Sequence, residues 1–277
     1  KRISARLYEG ARRESDLKGV ILAGGKGTRL HPLTLFSSKQ LLPVYDKPLV
    51  YYPLSTLMLA GIQDVLVITA PNHAQSFQSL LGDGSQFGIS ISYVEQAFPQ
   101  GLAQGLILAE DFLKGEGCAF ILGDNIFHGP KLGRSLQSFT KVQGAQIFGY
   151  PVKNPENYGV AIFNESEELI ELEEKPIKRL SNIAIPGLYF FDSRAVNFAK
   201  SLKPSDRGEL EIIDVLKCYL SSNELLIELL PRGTAWFDAG TFADLHDAGS
   251  YVRLIEERTG ERIGDPHEVS KVQGLVF

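Results

Sequence analysis

No run of this chain approaches the roughly 18–20 apolar residues that a membrane span requires, and neither a low-complexity tract nor an internal repeat is present. Cysteine is scarce, with Cys118 and Cys218 the whole complement. They show no CxxC or other ligand spacing, and nothing points to a secreted disulfide scaffold. Cys118 lies in the apolar run CAFIL and reads as a buried thiol; two thiols or one disulfide remain the alternatives for the pair. A reducing, cytoplasmic setting is the expectation. The five histidines form no transition-metal pattern. Excess charge is missing as well. The net charge of −5, with mixed signs, argues against a general binder of nucleic acid or anionic membrane. Cations that handle phosphate must then be local. Two common phosphate loops are absent: no Gly-x4-Gly-Lys-Ser/Thr occurs, and Leu30 stands where a dinucleotide fingerprint needs its third glycine. An Asp-x-Asp pair, usual in metal-dependent glycosyltransferases, is also lacking.

What is present begins with size. With 277 residues and 44% hydrophobic content the chain can bury a full core, and no Pro/Gly/Ser linker forces a split. The stretch GVILAGGKGTRLHPLTLFSSKQLLP, residues 19–43, organises the rest. Val20, Ile21, Leu22 and Ala23 form an apolar run too short for a helix, as in a strand buried on both faces. Gly24, Gly25 and Gly27 follow, and without Cβ atoms they let main chain press against a ligand. Thr28, Arg29 and Lys39 come next. Backbone N–H groups with two cations suit the charged oxygens of a nucleoside triphosphate. Lys26 reads as solvated.

The loop is followed by SKQLLPVYDKP and then by LGDGSQFG, GLAQG, LGDNIF, ENYGV, LEEKP, GLYFF, RGELEI and WFDAGT. As a set these resemble the signature of the sugar-1-phosphate nucleotidyltransferases, over residues 17–260. Residues 1–17 read as an N-terminal extension without a signal peptide's apolar core. The resemblance implies a catalytic domain over 18–260, with a nucleotide-binding half (18–150) and a sugar-binding half (151–240). Residues 261–277 read as a divergent tail broken by Gly and Pro.

Apolar periodicity predicts helices over 48–61, 74–81 and 101–113, and strands over 64–70, 89–96 and 118–125. The later runs AQIFGYPV, GVAIF, LIELEEKP and AIPGLYFF read as strands. SRAVNFAKSL, LEIIDVLKCYLSS and TFADLHDAGSYVRLIEER read as helices. Alternation of strand and helix predicts an α/β fold, Rossmann-like, with a mostly parallel mixed sheet flanked by helices. Ligands gather at the carboxyl ends of such strands, and the glycine loop, Gln96 and Asp124 all follow predicted strands.

Nucleotidyl transfer requires two polyanions to be brought together and charge to be stabilised during in-line attack. Asp124 in LGDN and Asp238 in WFDAGT each read, taken singly, as a turn aspartate or helix cap. Both fall where the resemblance puts the two carboxylates that hold Mg2+. Arg29 and Lys39 would hold the triphosphate, Arg29 nearer the departing pyrophosphate. Lys175 would hold the sugar phosphate and Glu174 would accept from sugar hydroxyls; without the resemblance LEEKP reads as a solvated strand end. Asn125, Gly159, Ile185 and Tyr189 match the other sugar-contacting positions. Tyr158 and Trp236 read as core or wall aromatics. Gln96 and Gly101 match positions that read the base, a Gln amide being both donor and acceptor. Gln40 and Leu22 would lie near the nucleotide.

The implied reaction joins dTTP and α-D-glucose 1-phosphate into dTDP-glucose and pyrophosphate. SKQ favours dTTP over UTP, whereas Ile183 and Pro186 depart from the pattern beside the sugar pocket. Alternatives are the same chemistry with UTP or another hexose 1-phosphate, or a catalytically silent sugar-nucleotide-binding subunit. The latter would be expected to lose Asp124, Asp238 or Lys175, and all three stand. A homotetramer with a second, regulatory site is also implied. The helical stretch 48–61 and the LGDGSQFG loop are either interface elements or core helix and surface turn.

Overall fold

The computed structural model describes residues 17–139 and 141–276; apart from Leu17, the N-terminal extension lies outside them. Strand β1 (Lys18–Ala23) runs up the centre of a ten-stranded sheet, between β4 (Asp64–Thr69) and β6 (Cys118–Leu122), both parallel to it. β5 (Ser90–Glu95) adds a third parallel pairing beside β4. Beyond β6 the direction changes. β12 (Leu188–Phe191) is antiparallel to both β6 and β8 (Ala145–Pro151), so a strand from the second half is inserted between two from the first. β9 (Gly159–Phe163), β10 (Leu169–Glu174) and the two-residue β11 (Ile183–Ala184) continue antiparallel, while β13 (Leu225–Leu229) runs parallel along the other edge of β8. The expected α/β mixed sheet is therefore continuous across both halves. Its parallel character belongs mainly to the nucleotide half.

Strand periodicity explains the two-sided core. Ile21, Val65, Val67, Ala119 and Ile121 face one cluster, whereas Val20, Leu22, Leu66, Ile68 and Phe120 face the other. The first face is covered by α1 (Tyr51–Leu59), α2 (Ala74–Leu81) and α9 (Pro266–Gln273). The second is covered by α3 (Gln104–Leu108), α4 (Glu110–Leu113), α6 (Ala195–Ser201) and α7 (Ile212–Ser221). Segment 101–113, expected as one helix, is two short ones meeting at Ala109. α5 (Leu132–Leu136) packs near α1.

Stretch 48–61 takes the core alternative, since residues 52–58 of α1 are all buried. The LGDGSQFG turn also looks inward, with Phe87 fully buried between Tyr51 and His267. Nor is the tail loose. Pro266 opens α9, where no backbone donor is needed, Asp265 caps it and Gly274 closes it in the left-handed region. Gln273 then donates to the carbonyl of Met58 in α1 (2.9 Å).

A third cluster joins α8 (Phe242–Thr259) to the hairpin β2 (Pro43–Val44)–β3 (Lys47–Pro48). Thr241 and Asp244 form a reciprocal capping box at the start of α8. The hairpin carries a buried ion pair, Lys47 Nζ to Glu256 Oε1 at 2.8 Å, and Glu256 also accepts from Ile263 N and Arg262. Among the described residues no helix is long and apolar enough to cross a membrane.

Candidate active site

The loop after β1 stands at the carboxyl ends of the central parallel strands. Gly24 is buried against Gln96, whose Oε1 lies 2.1 Å from where a Cβ on residue 24 would stand. Glycine is needed there because any side chain would displace that amide. Gly25 faces open space, and Gly27 adopts a left-handed conformation (φ 60°) that turns the chain into Thr28–Leu30, where Thr28 and Arg29 are exposed. Lys26 is exposed, as expected. Leu22 keeps its side chain in the core, and its carbonyl accepts from Gly123 N (2.9 Å).

Lys39 is buried and reaches across to Asp124 Oδ2. Gln40 is buried beside it, its amide oxygen accepting from Ser38 Oγ (2.6 Å). Asp124 follows β6, and its other oxygen accepts from Asn125 Nδ2 (3.0 Å). The second carboxylate arrives by a separate two-stranded ladder, in which β7 (Asn125–His128) pairs antiparallel with β14 (Ala235–Asp238). In its register Asp238 stands opposite Asn125, and Ala239 N donates to the Asp124 carbonyl (3.1 Å). Trp236 locks the ladder, its indole N–H donating to Asn125 Oδ1 (2.7 Å), which also accepts from Gly187 N (3.0 Å). The Asn125 carbonyl oxygen is thus fully used as a bracket, while its amide nitrogen donates once, to Asp124; Trp236 is a wall residue.

The charges differ across the pair. Burial pushes the Asp124 carboxyl up, but the Lys39 ammonium beside it outweighs this and holds it below the usual carboxylate range. Asp238 is pushed up to about 6 by burial and by the Asp124 charge, against the pull of Lys39 and Arg29. Arg29 approaches from the loop, with its guanidinium and Asp238 Oδ1 each 3.3 Å from the position a Cβ on Gly240 would take. Two part-buried carboxylates and two cations therefore converge. The carboxylates repel and lack full compensation, which fits a divalent cation. Among the described residues no three or more His, Cys, Asp or Glu side chains are grouped so as to hold a metal ion. Two oxygen ligands suit a hard ion that keeps water and phosphate as its other ligands, as Mg2+ does.

A second cluster lies where β9, β10 and β11 meet. Glu174 stands opposite Gly159, and Ile185 N donates to the Gly159 carbonyl (2.8 Å). Lys175 is half exposed with φ 48°, its Nζ 3.8 Å from Glu174 Oε1. The buried Tyr189 phenol feels Glu174, Asp124 and Asp238 together; burial first, then those charges, push its pKa well up. It stands between the clusters and keeps its proton.

Sequence reasoning missed Arg207. It donates to Glu174 Oε1 (3.3 Å) and to Glu211 (2.8 Å), placing a second cation near Lys175. RGELEI carried the signal, but the motif alone did not say what its arginine faces. Gln104 was missed too. Gln96 N donates to the Thr69 carbonyl (2.7 Å), and its side-chain Nε2 donates to Gln104 Oε1 (2.7 Å). Gly101 (φ 104°) lies against Leu210, whose backbone pairs with Gln100 and Ala103 and pins the loop.

The family model described as "Nucleotidyl transferase" matches residues 18–253. A glucose-1-phosphate thymidylyltransferase of Mycolicibacterium smegmatis is 54% identical over 94% of this chain and 90% of its own. One from Neisseria meningitidis is 55% identical over 87% and 84%. In structure, a Bacillus anthracis protein described as a candidate glucose-1-phosphate thymidylyltransferase, solved with sucrose, superposes with a TM-score of 0.79 and 39% identity. That match covers 86% of this chain and 95% of the other. A UDP-glucose pyrophosphorylase complexed with UDP-glucose (TM-score 0.75, 23% identity, 86% and 98% covered) shares the fold.

Proposed function

The chain belongs to the nucleotidyl transferase family, and within it we propose that this enzyme converts dTTP and α-D-glucose 1-phosphate to dTDP-glucose and pyrophosphate. The observation that carries the reading is the convergence of Arg29, Lys39, Asp124 and Asp238 beside the glycine loop, with the buried Tyr189 under the charge of Asp124 and Asp238 and of Glu174, the partner of Lys175 and Arg207. Its names come from relatives at 54% and 55% identity.

An oxygen of the sugar phosphate attacks the α-phosphorus in line. The new P–O bond forms as the bond to the bridging β-phosphate oxygen breaks, and pyrophosphate leaves with its electron pair. This chain's work is positioning and charge compensation. Backbone of the Gly24–Gly27 loop cradles the triphosphate. Lys39 neutralises it near the α-phosphate, and Arg29 takes the pyrophosphate side with its forked donors. Lys175 and Arg207 hold the incoming phosphate, while Glu174 and Tyr189 meet sugar hydroxyls. Gln96, next to Gly24, reads the base with Gly101. Asp124 and Asp238 would hold Mg2+, which supplies neutralisation of phosphate charge when bound. The nucleotide and sugar halves are the domains of this reading. A cytoplasmic setting fits the two unpaired cysteines. The reading also carries a homo-oligomer, for which Leu226 and Leu229, exposed on β13, offer apolar surface.

The test is pyrophosphate release with dTTP and UTP, each against glucose 1-phosphate and galactose 1-phosphate, with and without Mg2+. The expected result is fastest release with dTTP and glucose 1-phosphate, dependent on metal. Preference for another pair would keep the chemistry and overturn the substrates, pointing to Gln96 or to residues 183–187. No release from any pair would favour the silent subunit.

A further inference from the structure

The hydrogen bonds around Gln96 fix more than its place. Gln100 N, a backbone donor that cannot exchange roles, points at the side chain of Gln104 from 2.9 Å. The atom it meets must be an acceptor, so the Gln104 carbonyl oxygen stands there and its amide nitrogen turns to Gln100 Oε1 (3.1 Å). The Gln96 atom 2.7 Å from that same oxygen must in turn be a donor, so it is Nε2. Gln96 Oε1 is left on the Gly24 side. One backbone N–H thus dictates, through Gln104, which end of a buried amide faces which way. Gln96 is only 3% exposed, so water competes little for the choice.

We propose that Gln104 is a positioning residue that locks the Gln96 amide in one orientation, so that the nucleotide pocket selects a 2,4-dioxopyrimidine over a 4-aminopyrimidine. The proposal rests on the reading of Gln96 as the base contact. Thymine and uracil present an N3–H donor flanked by carbonyl acceptors, whereas cytosine presents an N3 acceptor beside an amino donor. A glutamine can pair with either pattern, but only by exchanging its oxygen and nitrogen. Fixing the amide removes that exchange. A cytosine then meets donor against donor and acceptor against acceptor, mismatches that a buried site penalises heavily. Gln104 itself reads nothing of the base; it decides what Gln96 can read.

The test is the ratio of kcat/KM for dTTP to that for dCTP, with glucose 1-phosphate as acceptor, in four variants with thermal unfolding as the fold control. Gln104→Glu keeps two acceptor oxygens and is expected to hold the ratio within about threefold. Gln104→Met removes the acceptor at similar volume, frees the amide to turn, and lowers the ratio by roughly tenfold or more, the scale of one buried hydrogen bond. Gln104→Lys puts a donor where the acceptor stood and lowers it at least as far. It keeps the question open to refutation should the Met variant not fold. Gln96→Met is the control on the base reading and abolishes most discrimination. A folded Gln104→Met or Gln104→Lys with the parent ratio, while Gln96→Met loses it, overturns the proposal and leaves the base reading intact. An unchanged ratio in Gln96→Met overturns the base reading and the proposal with it.

Discussion

Replacing Lys47 by Met should be among the more costly single changes in this chain, although Lys47 touches no substrate. Its side chain is 4% exposed and that of its partner Glu256 is 6% exposed, so neither charge is screened by solvent. The ammonium lies 2.8 Å from Glu256 Oε1, 2.6 Å from Asp46 Oδ1 and over the face of Tyr52. Met keeps the stem and deletes the charge. Stranding one member of a buried pair typically costs about 3–5 kcal/mol. Here Arg262 (3.1 Å) and Ile263 N (2.8 Å) still serve Glu256, which brings the expectation down to about 2–4 kcal/mol. For a chain of this size that corresponds to a fall in unfolding midpoint of roughly 5–12 °C. Urea unfolding of Lys47→Met, Glu256→Leu and the double variant would measure it. The double variant should lose clearly less than the sum of the singles, a coupling above about 1 kcal/mol. The hairpin also feeds the site, since Leu49 N and Val50 N hold the carbonyls of Leu42 and Gln40, next to Lys39. KM for the nucleotide should therefore rise in either single variant. A loss under about 1 kcal/mol with simple additivity would refute the reasoning.

Three further outcomes are expected. Asp124→Asn and Asp238→Asn should each lower Mg2+-dependent turnover at least a hundredfold while metal-free nucleotide binding, followed by calorimetry, survives; normal rates in both would remove the metal assignment. Arg207→Met and Lys175→Met should raise KM for glucose 1-phosphate with little change for dTTP, measured by initial rates at varied sugar phosphate. The third outcome concerns acid. Burial pushes the Asp192 carboxyl up, but bonds from Arg194, Tyr219 and Gly144 N outweigh it and hold the pKa below 3.8. Such a group stabilises the fold above its ordinary value and loses that contribution as pH falls through 3.8 toward the folded value. Unfolding midpoints below pH 4 should therefore drop less steeply in Asp192→Asn, and parallel curves would contradict this.

Local pattern made part of this legible. Ala74–Leu81 forms the helix its spacing predicts, the strands around residues 20, 66 and 120 lie where short apolar runs placed them, and the one around residue 92 lies where alternation did. Local pattern also misled. Pro266 and Gly274, read as breakers, are instead the first position and the cap of α9. A breaker at the end of a short helix looks the same in sequence as one that forbids it. NIFH and AWFD are too short to declare a strand, and each becomes one only by pairing with the other. The site followed the same division. Arg29 and Lys39 lie in the loop that follows β1, and loop chemistry pointed to them; Asp124 lies just after β6 and was singled out as a candidate by the resemblance. Arg207 and Gln104 act through partners, Glu174 and Gln96, that only the folded chain brings near.

The β7–β14 ladder has a consequence for how the molecule comes into being. Trp236 and Asn125 are separated by 111 residues, yet their hydrogen bond closes the ladder that brings Asp238 to Asp124. Closing a loop of that length costs about as much entropy as pairing β1 with β6, where Lys18 meets Cys118, and more than pairing β1 with β4, where Gly19 meets Val65. During synthesis the glycine loop and the strands around β1 are made well before the second carboxylate exists. A chain made only that far carries the glycine loop, Lys39 and Asp124 without Asp238, so the pair of carboxylates is completed late.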